Sequence, residues 1–238
     1  MRRLFTIMAL TGAALAAPAA RADDRPFLRT ATAVVEDDDE RVFEFSATGL
    51  SHRHGDGLSL QGGYSFSPTL SAEVELGVSR DRAEGSRGRE VGIGVWQAWI
   101  DPASEGWGLA GKLGAEWDRD AAGEPLQRTL RGVVAASLPL SGKQVWLHAN
   151  AGVEQREGQG RAGIWSLALQ GELDRRWALF GELASSSRRD ELAQVGVRRW
   201  LRRDKIALDL GIGRERIADD RRGFVAAGLA FYDLDLHW

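Results

Sequence analysis

From residue 41 onward, apolar and polar side chains alternate with a period of two. Leu58, Leu60, Gly62, Tyr64 and Phe66 fall on one face, against Ser59, Gln61, Gly63 and Ser65 on the other. Leu70, Ala72, Val74, Leu76 and Val78 alternate in the same way with Ser71, Glu73, Glu75, Gly77 and Ser79. The rhythm recurs in Trp107–Trp117, Val145–Val153 and Ile206–Ile212. Successive side chains leave a strand on opposite faces, so this pattern predicts half-buried β-strands. Twelve segments read this way: 41–50, 57–66, 70–79, 91–100, 107–118, 128–138, 144–154, 162–173, 177–185, 192–201, 204–214 and 223–238. Most reach the length of about 9–11 residues that a tilted strand needs to cross a bilayer. The fourth is irregular, because Val91, Ile93 and Val95 oppose Trp96, Ala98 and Ile100, and a bulge is expected there.

The links between segments alternate in character. Ser67-Pro68-Thr69, 101–104, 141–143, 174–176 and 202–203 are short, whereas 80–90, 119–127, 155–161, 186–191 and 215–222 are more polar and tend to be longer. Transmembrane barrels have tight periplasmic turns and longer outer loops. Trp99, Trp107, Trp146, Trp177 and Trp200 lie beside the short links, and Trp117 and Trp165 lie near the other rim. These seven are expected to form aromatic girdles, because an indole ring favours the headgroup zone. The predicted fold is all-β: a closed antiparallel transmembrane β-barrel of about 12 strands.

The amino terminus sets the compartment. Arg2 and Arg3 precede an apolar run from Leu4 to Ala17, and Ala20-Arg21-Ala22 supplies a small-x-small cleavage site, so residues 1–22 read as a signal peptide. Residues 23–40 form a polar lead-in ending in Glu36-Asp37-Asp38-Asp39-Glu40, expected to be a solvated periplasmic tail. A short plug, or a strand from Leu28 to Val35, is the alternative. Residues 41–238 then make the barrel, in the outer membrane.

With no cysteine, the chain has no disulfide, thiolate metal site, cysteine nucleophile or lipoprotein attachment point. Its formal charge of −3 includes three arginines of the signal, so the remainder is more acidic still, a poor match to nucleic acid.

The polar face is the candidate lumen lining: Glu44, Glu73, Glu75, Lys112, Glu116, Arg131, His148, Asn150, Glu154, Gln170, Glu172, Glu182, Arg198, Lys205 and Asp209. Charges of both signs suit either a solute pathway or an interior network that holds the barrel's shape. His148 near Asn150 and Ser137 admits a barrel lipid hydrolase, which needs serine and histidine within bonding reach and a third group to orient them. His52-Arg53-His54 has the wrong company for a metal site, and Gly92-x-Gly94 opens no helix. No catalytic residue, metal or cofactor is expected. At the carboxy terminus, Tyr232, Leu234, Leu236 and Trp238 look like the terminal signal read by the barrel-assembly machinery, with Trp in place of the usual Phe.

Val145–Gly152, Trp177–Leu183, Val195–Trp200 and Ala207–Gly213 together resemble the hairpins of the outer-membrane family associated with the MetA pathway of phenol degradation. The resemblance covers about the last hundred residues and rests on strand rhythm as much as on identities. It implies a passive channel or uptake protein for small, often aromatic, solutes, and a barrel of this size, whose lumen side chains can nearly fill, makes a narrow path the expectation. A structural or assembly-partner barrel without a pore is the alternative. The expected partners are outer-membrane lipid, the assembly machinery and a small-molecule solute, with the chain acting as a monomer.

Overall fold

The computed structural model describes residues 27–33, 43–82, 85–119, 125–141, 145–217 and 220–234. The signal peptide, the acidic run 36–40, Leu236 and Trp238 lie outside the described residues. Every predicted strand forms, in chain order: β1 (Phe43–His52), β2 (Gly55–Ser67), β3 (Leu70–Asp81), β4 (Arg87–Ile100), β5 (Gly108–Arg119), β6 (Gln127–Ser141), β7 (Val145–Arg156), β8 (Gly160–Glu172), β9 (Trp177–Ser186), β10 (Glu191–Arg202), β11 (Ile206–Ile217) and β12 (Asp220–Leu234). Each pairs antiparallel with its sequence neighbour, and β1 pairs with β12 to close the barrel. A single helical turn, α1 (Pro102–Glu105), lies between β4 and β5.

Closure explains the inverted burial. Val74, Ile93, Leu113, Val134, Val153, Leu167, Leu183, Ile212 and Val225 are all exposed, while Ser137, His148, Glu182 and Arg198 are buried. An exterior this apolar is stable only against lipid, and a barrel satisfies every backbone hydrogen bond without leaving an edge.

Several expectations require correction. Burial in β4 alternates without a break from Arg87 to Trp99, so no mid-strand bulge exists. Trp96 simply faces inward, and the irregularity falls between Ala98 and Ile100. Trp99, Trp107, Trp165 and Trp177 are exposed, and Trp117 shares the outer face of Leu113. Trp146 and Trp200 instead point into the lumen and are buried. Lys205 lies in the turn between β10 and β11, not in a lining strand. Tyr232 and Leu234 do not share a face: Tyr232 is buried inside, and a register shift in the β1–β12 pair sets Leu234 opposite Phe43. The two ends of the barrel do not contrast in link length either. Two-residue turns occur at both, because the strands at the far rim run on into segments whose charges read as loop.

The chain enters β1 and leaves β12 at the same end. It is the end that holds the links 67–69, 101–104, 141–143, 174–176 and 202–203, which the sequence reading places in the periplasm, and it is termed the periplasmic end.

Candidate functional site

The inward faces of β2 to β7 carry a charged wall built by alternation. Glu73 accepts hydrogen bonds from Trp96 Nε1 and Gln61 Nε2, both at 3.1 Å, and forms an ion pair with Lys112. Lys112 also lies 4.8 Å above the Trp96 ring. Glu73 has this room because its neighbour across the ladder is Gly94, where a Cβ would sit 2.7 Å from the carboxylate. Higher up, Arg131 donates to Glu154 at 2.8 Å and lies 3.8 Å from Glu116. Arg188, from the loop after β9, donates to the same Glu154 at 2.6 Å. Glu75 accepts from Ser59, and Glu44 faces inward beside Ser46. At the periplasmic end Glu172 holds Arg203 at 2.7 Å.

These walls enclose a vestibule of about 860 Å³, lined among others by Glu75, Glu90, Lys112, Asp118, Arg131 and Arg156. Its inner end is made by residues 27–31.

The chain from Phe27 to Ala33 lies inside the barrel as a strap, so a solvated tail is not what these residues form. The Glu182 carboxylate accepts from the backbone N–H groups of Leu28, Arg29 and Thr30, at 2.9, 2.8 and 2.5 Å, and from Gln194 Nε2 at 2.6 Å. Three successive amides converging on one anion form a nest, an arrangement that suits concentrated negative charge. The Asn150 amide, in the orientation that satisfies both its ends, accepts from Ala31 N at 2.6 Å and donates to Ala31 O at 3.0 Å. Ala33 N donates to Ser137 Oγ at 2.8 Å. Apolar contacts seat the strap between these bonds. Phe27 packs with Ala168 and Phe180, Leu28 against Ala184, Leu192, Phe224 and Ala226, and Ala33 with Trp96, Ala110 and Ala135. The Phe180 ring is held close over Gly196, where any Cβ would collide with it at 2.2 Å.

Beside the strap, Arg198 is 1 % exposed and donates to both Asp209 oxygens, at 2.8 and 3.0 Å. Trp200 and Tyr232 cover its guanidinium, with ring centres at 5.3 and 5.6 Å. His148 stacks parallel to Trp146 and bonds Ser137 Oγ through Nδ1 at 2.9 Å.

The structure therefore brings Ser137 and His148 together, as a hydrolase would need, but aims Asn150 at the strap instead of at the imidazole. Gln194 and Arg188 were not singled out by their sequence. Gln194 could have been found, since it shares its strand face with Arg198, whereas Arg188 reaches the lumen from a loop and leaves no periodic signal.

No family model matches the chain, and no curated relative matches it. Among solved structures, the barrel is similar to the KdgM porin in complex with disordered oligogalacturonate (TM-score 0.58, 9 % identity, 82 % of this chain and 99 % of that one). It is similar to the NanC porin (TM-score 0.58, 10 % identity, covering 79 % and 98 %). It is also similar to an outer membrane channel from Pseudomonas putida F1 (TM-score 0.57, 10 % identity, covering 84 % and 97 %). At these identities the likeness is one of fold, and the fold is that of outer-membrane β-barrels.

Proposed function

We propose that the chain is an outer-membrane channel for small solutes, closed at rest by its own residues 27–33. The vestibule of about 860 Å³, ending on a strap held largely by side-chain hydrogen bonds, carries this reading. A barrel of this size can be filled by side chains alone. Here the stopper is a separate piece of chain, able to leave without unmaking the wall. Outer-membrane lipid around the apolar belt, the barrel-assembly machinery and the transported solute are the partners, and the barrel acts as a monomer.

Aromatic compounds are the cargo favoured by the sequence resemblance of the last hundred residues. Trp96, Trp146, Trp200 and Tyr232 are buried against Lys112, His148 and Arg198, so the resemblance alone supports this cargo.

We assign Ser137 and His148 a structural role. A serine nucleophile needs its base oriented by a third group. Here the hydroxyl accepts from Ala33 N, both side chains are fully buried, and Asn150 is bonded to Ala31.

In planar bilayers the folded protein is expected to pass small unitary currents. Lys112→Glu should shift their selectivity toward cations, because it removes the positive charge beside Glu73 in the lining. Correctly folded protein that stays silent even with its strap released would contradict the channel reading.

A further inference from the structure

The apolar belt ends abruptly at the outer rim of β3 to β6. Val78, Val91, Trp117 and Leu130 face lipid there. Two residues further out, on the same strands and the same face, stand Arg80, Arg89, Arg119 and Arg128, with Arg87 beside them on β4. All five are exposed. The register sets Arg80 directly opposite Arg87, and Arg89 directly opposite Arg119. Like charges in directly opposed positions destabilise a sheet. None of these five has an ion-pair partner among the described residues, although Arg82 and Arg216 at the same rim are paired, with Asp56 and Glu191.

An arrangement this unfavourable in isolation implies an anion that the described residues do not supply. We propose that this face of β3–β6 binds the phosphate-bearing headgroups of anionic lipid in the outer leaflet. Three observations support that ligand. The arginines share the strand face of the lipid-exposed Val78 and Val91, and of the five only Arg80 and Arg89 also edge the vestibule. They stand one strand repeat above the apolar belt, where headgroups lie. Guanidinium also pairs with phosphate through two parallel hydrogen bonds, so one headgroup can bridge two facing arginines and turn their repulsion into attraction. Basic clusters beside an anionic membrane surface are attracted to it, each basic residue adding to the binding. The opposite rim carries Phe66, Trp99, Trp107 and Trp177 in equivalent places, so the site belongs to one leaflet.

The test compares the full chain with its Arg80→Gln/Arg87→Gln/Arg89→Gln/Arg119→Gln variant by thermal unfolding. The vesicles are phosphatidylcholine alone or phosphatidylcholine containing lipid A. The unsubstituted protein should unfold at a higher temperature when lipid A is present. The variant should lose that increment, yet equal or exceed the unsubstituted protein in phosphatidylcholine alone, where only the repulsion is removed. Inorganic phosphate added to phosphatidylcholine vesicles should not reproduce the effect, because the lipid is the ligand. No response of the unsubstituted protein to lipid A, an equal response in the variant, or full substitution by free phosphate would overturn the proposal. Should the fourfold variant fail to fold, Arg89→Gln/Arg119→Gln carries the same comparison on one facing pair. Ion conduction is not measured, so this outcome stands apart from the fate of the channel reading.

Discussion

Glu182→Ala should convert a mostly closed barrel into one that conducts freely, with unitary current several-fold above that of the unsubstituted protein. The carboxylate receives three strap amides and Gln194. Without it the Thr30 N–H and Gln194 Nε2 remain buried and unpaired, at about 1–3 kcal/mol each, and the part-buried amides of Leu28 and Arg29 lose their acceptor as well. Burying Phe27 stabilises the strap by about 1.5–3 kcal/mol and the half-buried Leu28 adds less, so losing the nest is enough to shift the strap outward. Glu182→Gln keeps an acceptor but removes the charge, and should fall between the two. Planar-bilayer recordings check the order. An Ala variant no more conductive than the unsubstituted barrel would mean that residues 27–33 are not what closes it.

The largest effect on stability is expected at Asp209. Arg198 is almost wholly buried and directs two hydrogen bonds at this carboxylate. Removing one partner of a buried pair leaves the other charge uncompensated and costs about 3–5 kcal/mol. Asp209→Ala should therefore lower barrel stability by that amount in urea titrations in lipid vesicles, whereas Arg198→Met/Asp209→Leu should cost far less. A single variant as stable as the double would show that the pair is not sealed from water.

The barrel was legible because one rule, alternation, holds for each strand, and lipid on one side with water on the other makes the rule strict. Residue faces followed from it: His148, Asn150, Glu182, Arg198 and Asp209 all lie inside as their parity requires. The tryptophans show what happens when a second rule is allowed to compete. Trp146 shares its parity with His148, and Trp200 shares its parity with Arg198, so alternation alone places both inside. Proximity to a turn suggested a girdle and was the weaker signal. The strap was offered only as an alternative, for a different reason. Its bonds run to Glu182 and Ser137, more than a hundred residues away in the chain, and no local pattern encodes them. The Arg80/Arg87 and Arg89/Arg119 pairs were likewise hidden, because facing residues are known only once the register is fixed.

The whole account rests on which side of the sheet meets lipid, and β8 allows a direct measurement. The chain has no cysteine, so one can be introduced at a time and carry a nitroxide probe. At Trp165, Leu167 and Leu169 the probe should collide readily with membrane-dissolved oxygen and hardly at all with a water-soluble nickel chelate. At Ser166, Ala168 and Gln170 oxygen collisions should drop at every step. A flat profile along residues 165–170, or chelate access at Leu167, would contradict a lipid-facing exterior and with it the channel.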